Sequence, residues 1–330
     1  MYYLTVCAIF QNEASYLAEW LTHYELQGVE HFYLYDDLSA DDPETVLKPW
    51  LDRGMVTLNR AARTTNRQRA AYEHCIRTHR GETFWMAFVD IDEFAFARNR
   101  PETLAEIMTR YERFPGLGIN WVCYGSSGFE TPPGPMVTTS YQLRGRLDFR
   151  TSEPVFLKDG HPPGLVESYY PYNAHIKSIA RPDAIERMLS PHSFAYRNGE
   201  PAVSPSGAPI AGTRLDAFSQ RVEVNVLRVN HYWSKSRSEF LAKAARRHAD
   251  KDEHYGEHIA FVREAGMNFE HDPSILVHSE AIAERLGLPF APGTEAEWRE
   301  REAFQQARDL NAEALAHREM LKAAGRFHRD

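Results

Sequence analysis

A chain of 330 residues with 43% hydrophobic, 25% charged and 12% aromatic side chains has the composition of an ordinary globular protein with a sizeable core. Its formal net charge of −8 argues against nucleic acid or another polyanion as the main partner, because such partners are gripped by surplus positive charge. The three cysteines, Cys7, Cys75 and Cys123, stand far apart in apolar segments with no CxxC spacing, which predicts reduced, buried thiols.

The chain opens MYYLTVCAIF and then meets Gln11, Asn12 and Glu13. A short apolar run without a basic leader predicts neither a secretion signal nor a membrane span. The expectation is a cytoplasmic protein that meets a membrane only peripherally or through a partner. Tyr3–Ile9 is rich in β-formers. Leu17, Trp20, Leu21 and Tyr24 recur at i, i+3, i+4, i+7 and predict a helix stopped by Gly28. His31–Tyr35 predicts a second strand, ending at the acidic cluster Asp36-Asp37-Leu38-Ser39-Ala40-Asp41-Asp42. Met55–Leu58 reads as a third strand and Arg67–His79 as a helix. Phe84–Val89 is a nearly unbroken apolar run, as in a strand buried on both faces, and runs into Asp90-Ile91-Asp92-Glu93-Phe94. Leu104, Ile107, Met108 and Tyr111 mark another helix, and Leu117–Tyr124 another strand.

Residues 125–173 are dense in Gly, Pro and Ser and predict a long loop with short strands, as does Asn198–Gly212. Between them lie a predicted strand, Ala174–Ile179, and a short helix opened by Pro182. Val222–Val229 reads as the last strand. From Ser236 onward the pattern is helical, with capping-box pairs Ser236/Glu239 and Thr294/Glu297. Ala303, Ala307, Leu310, Ala314, His317 and Leu321 predict an amphipathic helix packed on the core; a homodimer through these helices is the lesser alternative. Alternating strands and helices followed by helices alone predict an α/β domain over 1–235 and a helical extension over 236–330.

The chemistry concentrates at Asp90 and Asp92. An Asp-x-Asp at a strand end places both carboxylates on one face, roughly 6–7 Å apart. That spacing suits one hard divalent cation shared with a diphosphate. Ligands of open α/β sheets bind beyond the carboxyl ends of the strands, where both acidic clusters fall.

At these residues the chain resembles a known group. CAIFQNEASYLAEWLTHYELQGVEHFYLYDD resembles the first βαβ unit of family-2-like glycosyltransferases. The ordered set WMAFVDIDEF, HIKSIARP and NHYWSKSRSEFLAKAARR more closely resembles the branch grouped with family 92, over residues 3–247. The resemblance implies a GT-A-type fold: a mixed, mostly parallel sheet flanked by helices. It implies a nucleotide-sugar donor, UDP-linked by default, held by a nucleotide-binding half (1–124), and a saccharide or glycan acceptor held by an acceptor-binding half (125–235). Asp36 or Asp37 would then face the base or ribose, with Glu13 of the Asn-Glu pair on the same nucleotide side. Asp90 would face ribose and metal, and Asp92 would be the principal metal carboxylate. His231 would approach the metal or diphosphate, which favours Mn²⁺ over Mg²⁺ because imidazole suits Mn²⁺ better. Lys235 and Arg69 would neutralise the leaving diphosphate. The resemblance also implies inversion of the anomeric centre by one direct displacement, which needs one general base. Glu130 is the first candidate, with Asp148 and Glu153 later in the same region; the acid pair that many family-2 enzymes carry at a helix start is absent here.

Three plainer readings stand beside these. Lys177 reads equally as a surface charge, and His254/His258, at i, i+4 without a third ligand, as solvated. A nucleotidyltransferase also uses strand-end carboxylates, but lacks here its Gly-rich basic loop. A sugar-binding protein that has lost turnover is the non-enzymatic alternative.

Overall fold

Tyr2–Phe10 forms strand β1 and is buried from Leu4 onward, so that packed layers cover both of its faces. The structure, a computed structural model, describes residues 1–98, 102–147, 171–245 and 266–308; Asp148, Glu153, His254, His258, Leu310, Ala314, His317 and Leu321 lie outside them. Strands β2 (His31–Asp36), β3 (Val56–Arg60) and β4 (Thr83–Phe88) run parallel to β1 in the order β3-β2-β1-β4. Parallel neighbours require crossovers. These carry α1 (Ala14–Leu26), α2 (Pro43–Asp52) and α3 (Arg67–His79). Leu17, Trp20, Leu21 and Tyr24 line the buried face of α1, as their spacing predicts. Helix α2 starts inside the acidic cluster: the Asp42 side chain accepts from Thr45 N, and Pro43 occupies the first turn, where its missing N–H costs nothing.

The second half adds β5 (Glu93–Ala97), α4 (Leu104–Met108), β6 (Gly116–Cys123), α5 (Val137–Ser140), β7 (Leu143–Arg144), β8 (Ile176–Ala180), β9 (Ile185–Ser190), β10 (Ser193–Tyr196) and β11 (Leu227–His231). The main sheet runs β3-β2-β1-β4-β8-β6-β11-β5. β8 lies antiparallel to both neighbours, β11 parallel to β6, and β5 antiparallel to β11. This is the mixed, mostly parallel sheet with flanking helices expected of a GT-A-type fold. β4 and β5 are joined by only residues 89–92, yet stand at position four and at the far edge. The sheet therefore curls, and those four residues span its opening.

Two sequence expectations are corrected. Pro182 opens no helix; residues 181–184 are a turn into the antiparallel hairpin β9–β10, whose Ile185, Met188 and Phe194 join the core beside α3. Nor is everything after Ser236 helical. After α6 (Arg237–Ala244), strand β12 (Glu270–His271) pairs antiparallel with β7, before α7 (Leu276–Leu286) and a helical stretch over 295–308. Tertiary pairing decides β12, since a two-residue strand has no periodicity of its own. Arg228 of β11 is fully buried and donates to Asp272, which also accepts from Arg144. Met267 O accepts from Gly125 N and Asn268 Oδ1 from Ser127 N, and a side chain on Gly125 would collide with Asn268. The 266–272 segment is thus keyed into the domain.

Both capping boxes form as expected, and all three cysteines are free and buried. Among the described residues no helix is long and apolar enough to cross a membrane.

Candidate active site

Asp90-Ile91-Asp92 is not the end of a strand. β4 stops at Phe88, residues 91–92 form a turn, and Glu93 opens β5. Glu93 N donates to Asp90 O, and Tyr232 N to Asp92 O. The expected placement of both carboxylates on one strand face by period-two alternation is therefore replaced by a tight turn. Its cause is topological: β4 must hand the chain to the opposite edge of the sheet within four residues. Ile91 fills the core and anchors the turn, leaving Asp90 and Asp92 in different surroundings.

Asp90 is one-third exposed. Its Oδ2 accepts from Lys177 Nζ at 2.8 Å and its Oδ1 from Gln68 Nε2 at 2.7 Å. Lys177 is not a surface charge; it is 1% exposed in β8 and also lies 3.3 Å from Glu93 Oε2. Glu93, wholly buried, accepts from Asp90 N at 2.8 Å. Burial pushes the Glu93 carboxyl up to about 8 against the pull of Lys177. Burial depresses the Lys177 ammonium, but Asp90 and Glu93 together outweigh it and hold that ammonium above its ordinary value.

Asp92 is 5% exposed. Lys243 Nζ of α6 lies 2.5 Å from its Oδ2 and also donates to Trp233 O at 3.0 Å. His231, the last residue of β11, brings Nε2 to 3.5 Å from Asp92 Oδ1, with its ring 4.3 Å from that of Trp121. Nδ1 of His231 is buried without a hydrogen-bond partner among the described residues. Burial raises the Asp92 carboxyl, but Lys243 and His231 overcome it and hold the group well below the usual range. Four residues beyond His231, Lys235 takes a left-handed backbone (φ 54°) and is 4% exposed. Its Nζ sits 4.3 Å above the Tyr16 ring and has no hydrogen-bond or ion-pair partner among the described residues. Burial lowers its pKa, with Asp92 opposing only in part.

The loops after β1 and β2 are tied together beside this turn. Gln11 Nε2 donates to Asp37 O, Asn12 Oδ1 accepts from Ala40 N, and Asp41 Oδ2 accepts from Ala14 N at the start of α1. Asp36 accepts from Ser39 N, and Asp37 pairs with Arg67 at 2.6 Å. Burial raises the Asp37 carboxyl, with Arg67 pulling against it. Glu13 stands at the N-cap of α1, without a side-chain capping bond. Arg69 is directed elsewhere: its guanidinium donates to the carbonyls of Met188 and Leu189 and pairs with Glu73. The Glu130 side chain is 75% exposed and pairs loosely with Arg237 at 3.8 Å, while its carbonyl accepts from Ser238 N at the start of α6.

Gln68, Glu93 and Lys243 do not stand out in the sequence as site residues. Glu93 carries a signal, a third acid immediately before an apolar strand; Gln68 and Lys243 look like ordinary helix residues.

The donor set fits a hard divalent cation in chemistry, though not as a ready-made cage. Among the described residues no three His, Cys, Asp or Glu side chains close on one point. Asp92 and His231 nevertheless converge, and the Lys243 ammonium already occupies a cation position on Asp92. Two protein donors completed by phosphate and water oxygens is a common arrangement for such ions.

The profile of glycosyltransferase family 92 matches residues 2–274. A family 92 protein of Ricinus communis is 24% identical over 201 residues, 59% of this chain and 32% of that protein. One of Oryza sativa subsp. japonica is 32% identical over 146 residues, 43% of this chain and 24% of that protein. A galactan β-1,4-galactosyltransferase of Arabidopsis thaliana is 29% identical over 126 residues, 33% of this chain and 25% of that protein. The chain thus spans about a quarter to a third of the length of these curated relatives. Among solved structures, S. aureus TarS 1-349 aligns over 95% of this chain and 92% of its own at 11% identity and a TM-score of 0.38. A Pyrobaculum calidifontis mannosyltransferase in complex with GDP-Man and Mn²⁺ aligns over 35% of this chain and 34% of its own, at 19% identity and a TM-score of 0.28. With most of its length inside the family profile, the chain belongs to glycosyltransferase family 92.

Proposed function

We propose that this chain is a metal-dependent, inverting glycosyltransferase that moves a hexosyl group from a UDP-sugar to a hydroxyl of a saccharide acceptor. The observation that carries the reading is Lys235. Lys235 as a residue is 4% exposed, takes a left-handed backbone and gives its ammonium no hydrogen-bond acceptor among the described residues, an arrangement that an incoming anion would complete. It stands in the field of Asp92 and Lys243, where the diphosphate of the donor is placed by this reading.

In that arrangement Asp36, Asp37 and Glu13 attend the base and ribose, and Asp90, oriented by Lys177 and Gln68, faces the ribose. Asp92 and His231 would hold Mn²⁺, or Mg²⁺, which when bound supplies electrostatic stabilisation to the departing diphosphate. Lys235 neutralises the same charge from the protein side. The acceptor oxygen attacks the anomeric carbon, the bond from that carbon to the diphosphate oxygen breaks, and the acceptor proton passes to a carboxylate, for which Glu130 is the candidate.

A thermal-shift screen of UDP-sugars with and without Mn²⁺, followed by an assay for UDP release, tests this. Stabilisation by mass action should need both the UDP-sugar and the metal. Equal stabilisation by CTP or UTP with pyrophosphate release would reassign the site to nucleotidyl transfer. Binding without UDP release would leave a sugar-nucleotide-binding protein.

A further inference from the structure

We propose that Lys243 is an exchangeable counter-cation: its ammonium holds the metal position on Asp92 until a divalent ion, bound together with a diphosphate, displaces it. This rests on the metal-dependent reading above. Asp92 is too buried to stand ionised without a compensating charge, and its Oδ2 is covered by Lys243 Nζ at 2.5 Å. The other oxygen faces His231 Nε2 at 3.5 Å, beyond an ordinary hydrogen bond. A divalent ion coordinates through the same carboxylate lone pairs that the ammonium now uses. Like charges exclude one another at such a distance. The two cations compete for one place.

The surroundings let the side chain move while its helix stays still. The start of α6 is locked through Glu239, which closes the capping box with Ser236 and accepts from the hydroxyls of Tyr16 and Tyr141. Lys243 lies in the last turn of that helix, on a flexible four-carbon stem. Its bond to Trp233 O is to a neutral carbonyl, a weaker tie than one to a charged group. Leaving Asp92 with no diphosphate at hand, the ammonium would give up a charge-assisted contact and stay within the field of Lys235. Leaving it with a diphosphate present gives both ammonium groups an anion. Metal and nucleotide therefore bind weakly apart and tightly together, and Lys243 supplies part of that coupling.

Mn²⁺ titrations followed by electron paramagnetic resonance, with and without UDP, on the wild type, Lys243→Met, Lys243→Gln and Asp92→Asn distinguish the outcomes. Both neutral Lys243 variants should bind Mn²⁺ alone at least about tenfold more tightly than the wild type, and UDP should then improve that affinity by a smaller factor. Asp92→Asn should lose Mn²⁺ in either condition. Wild-type binding of Mn²⁺ with UDP, but unchanged or weaker Mn²⁺ binding in both Lys243 variants, would overturn the exchange and leave the metal site standing. Absence of Mn²⁺ binding by the wild type even with UDP would overturn the metal-dependent reading itself. Calorimetric melting of each variant verifies that it is folded.

Discussion

The Lys177 ammonium, enclosed within β8, lies 2.8 Å from Asp90 Oδ2 and 3.3 Å from Glu93 Oε2. One buried cation thus joins a partly exposed carboxylate to one that never sees solvent. Asp90 is held in place from behind, by a residue that itself needs both acids.

Replacing Lys177 by Met should therefore destabilise the fold by about 1–3 kcal/mol, the cost of lost charge-assisted hydrogen bonds, since Asp90 keeps access to solvent and Glu93 can stay protonated. Adding Glu93→Gln should change little further, because the Glu93 carboxyl, already pushed up to about 8, is neutral once Lys177 is gone. Urea unfolding midpoints of the single and double variants measure both; a loss below about 1 kcal/mol for Lys177→Met would show that Asp90 and Glu93 do not depend on it.

Lys235→Met should separate binding from stability. No hydrogen bond among the described residues is lost, and a buried charge disappears, so thermal stability should hold or rise. Affinity for UDP should fall by about tenfold or more, since charge-assisted contacts contribute about 1.5–3 kcal/mol. Isothermal titration with UDP and Mn²⁺ alongside a melting curve reads the two effects, and loss of stability without loss of UDP affinity would assign Lys235 a structural role.

Asp272 should govern acid stability. Burial pushes its carboxyl up, but Arg228 and Arg144 prevail and hold it far below the ordinary range. A folded-state pKa below the unfolded value, about 3.9, means stability that is fully present above that value and lost as pH falls beneath it. Asp272→Asn should cost about 3–5 kcal/mol at neutral pH by stranding Arg228. It should also flatten the loss of stability below about pH 4, as followed by unfolding at stepped pH.

Glu130→Gln should lower the rate of UDP release about 10²–10⁴-fold while leaving UDP-sugar binding intact, the signature of a removed general base. Steady-state turnover and titration of the donor check this. Unchanged turnover would move the base to another carboxylate.

Much of the framework of the first half of the chain was legible from local pattern. The i, i+3, i+4, i+7 apolar spacing in α1, the unbroken run through β4 and the two capping boxes are short-range signals that packing then obeyed. Asp90, Asp92, His231 and Lys235 stood out as candidates for chemistry because their neighbours in sequence form motifs, though the turn that holds the two acids did not. Other features were not legible. Glu270–His271 carries no periodicity and becomes β12 only because β7 offers it a partner. The Pro182 segment became a hairpin because Ile185, Met188 and Phe194 found the core beside α3.

Asp90-Ile91-Asp92 shows the division most clearly. Local pattern was enough to show that two carboxylates follow a buried strand, and hence that charge gathers beyond its carboxyl end. That they lie in a turn, and that each receives its own lysine, Lys177 from 87 residues away and Lys243 from 151, follows from long-range packing. A buried carboxylate must find a cation wherever folding brings one near, and pairings set by desolvation leave no trace in local spacing.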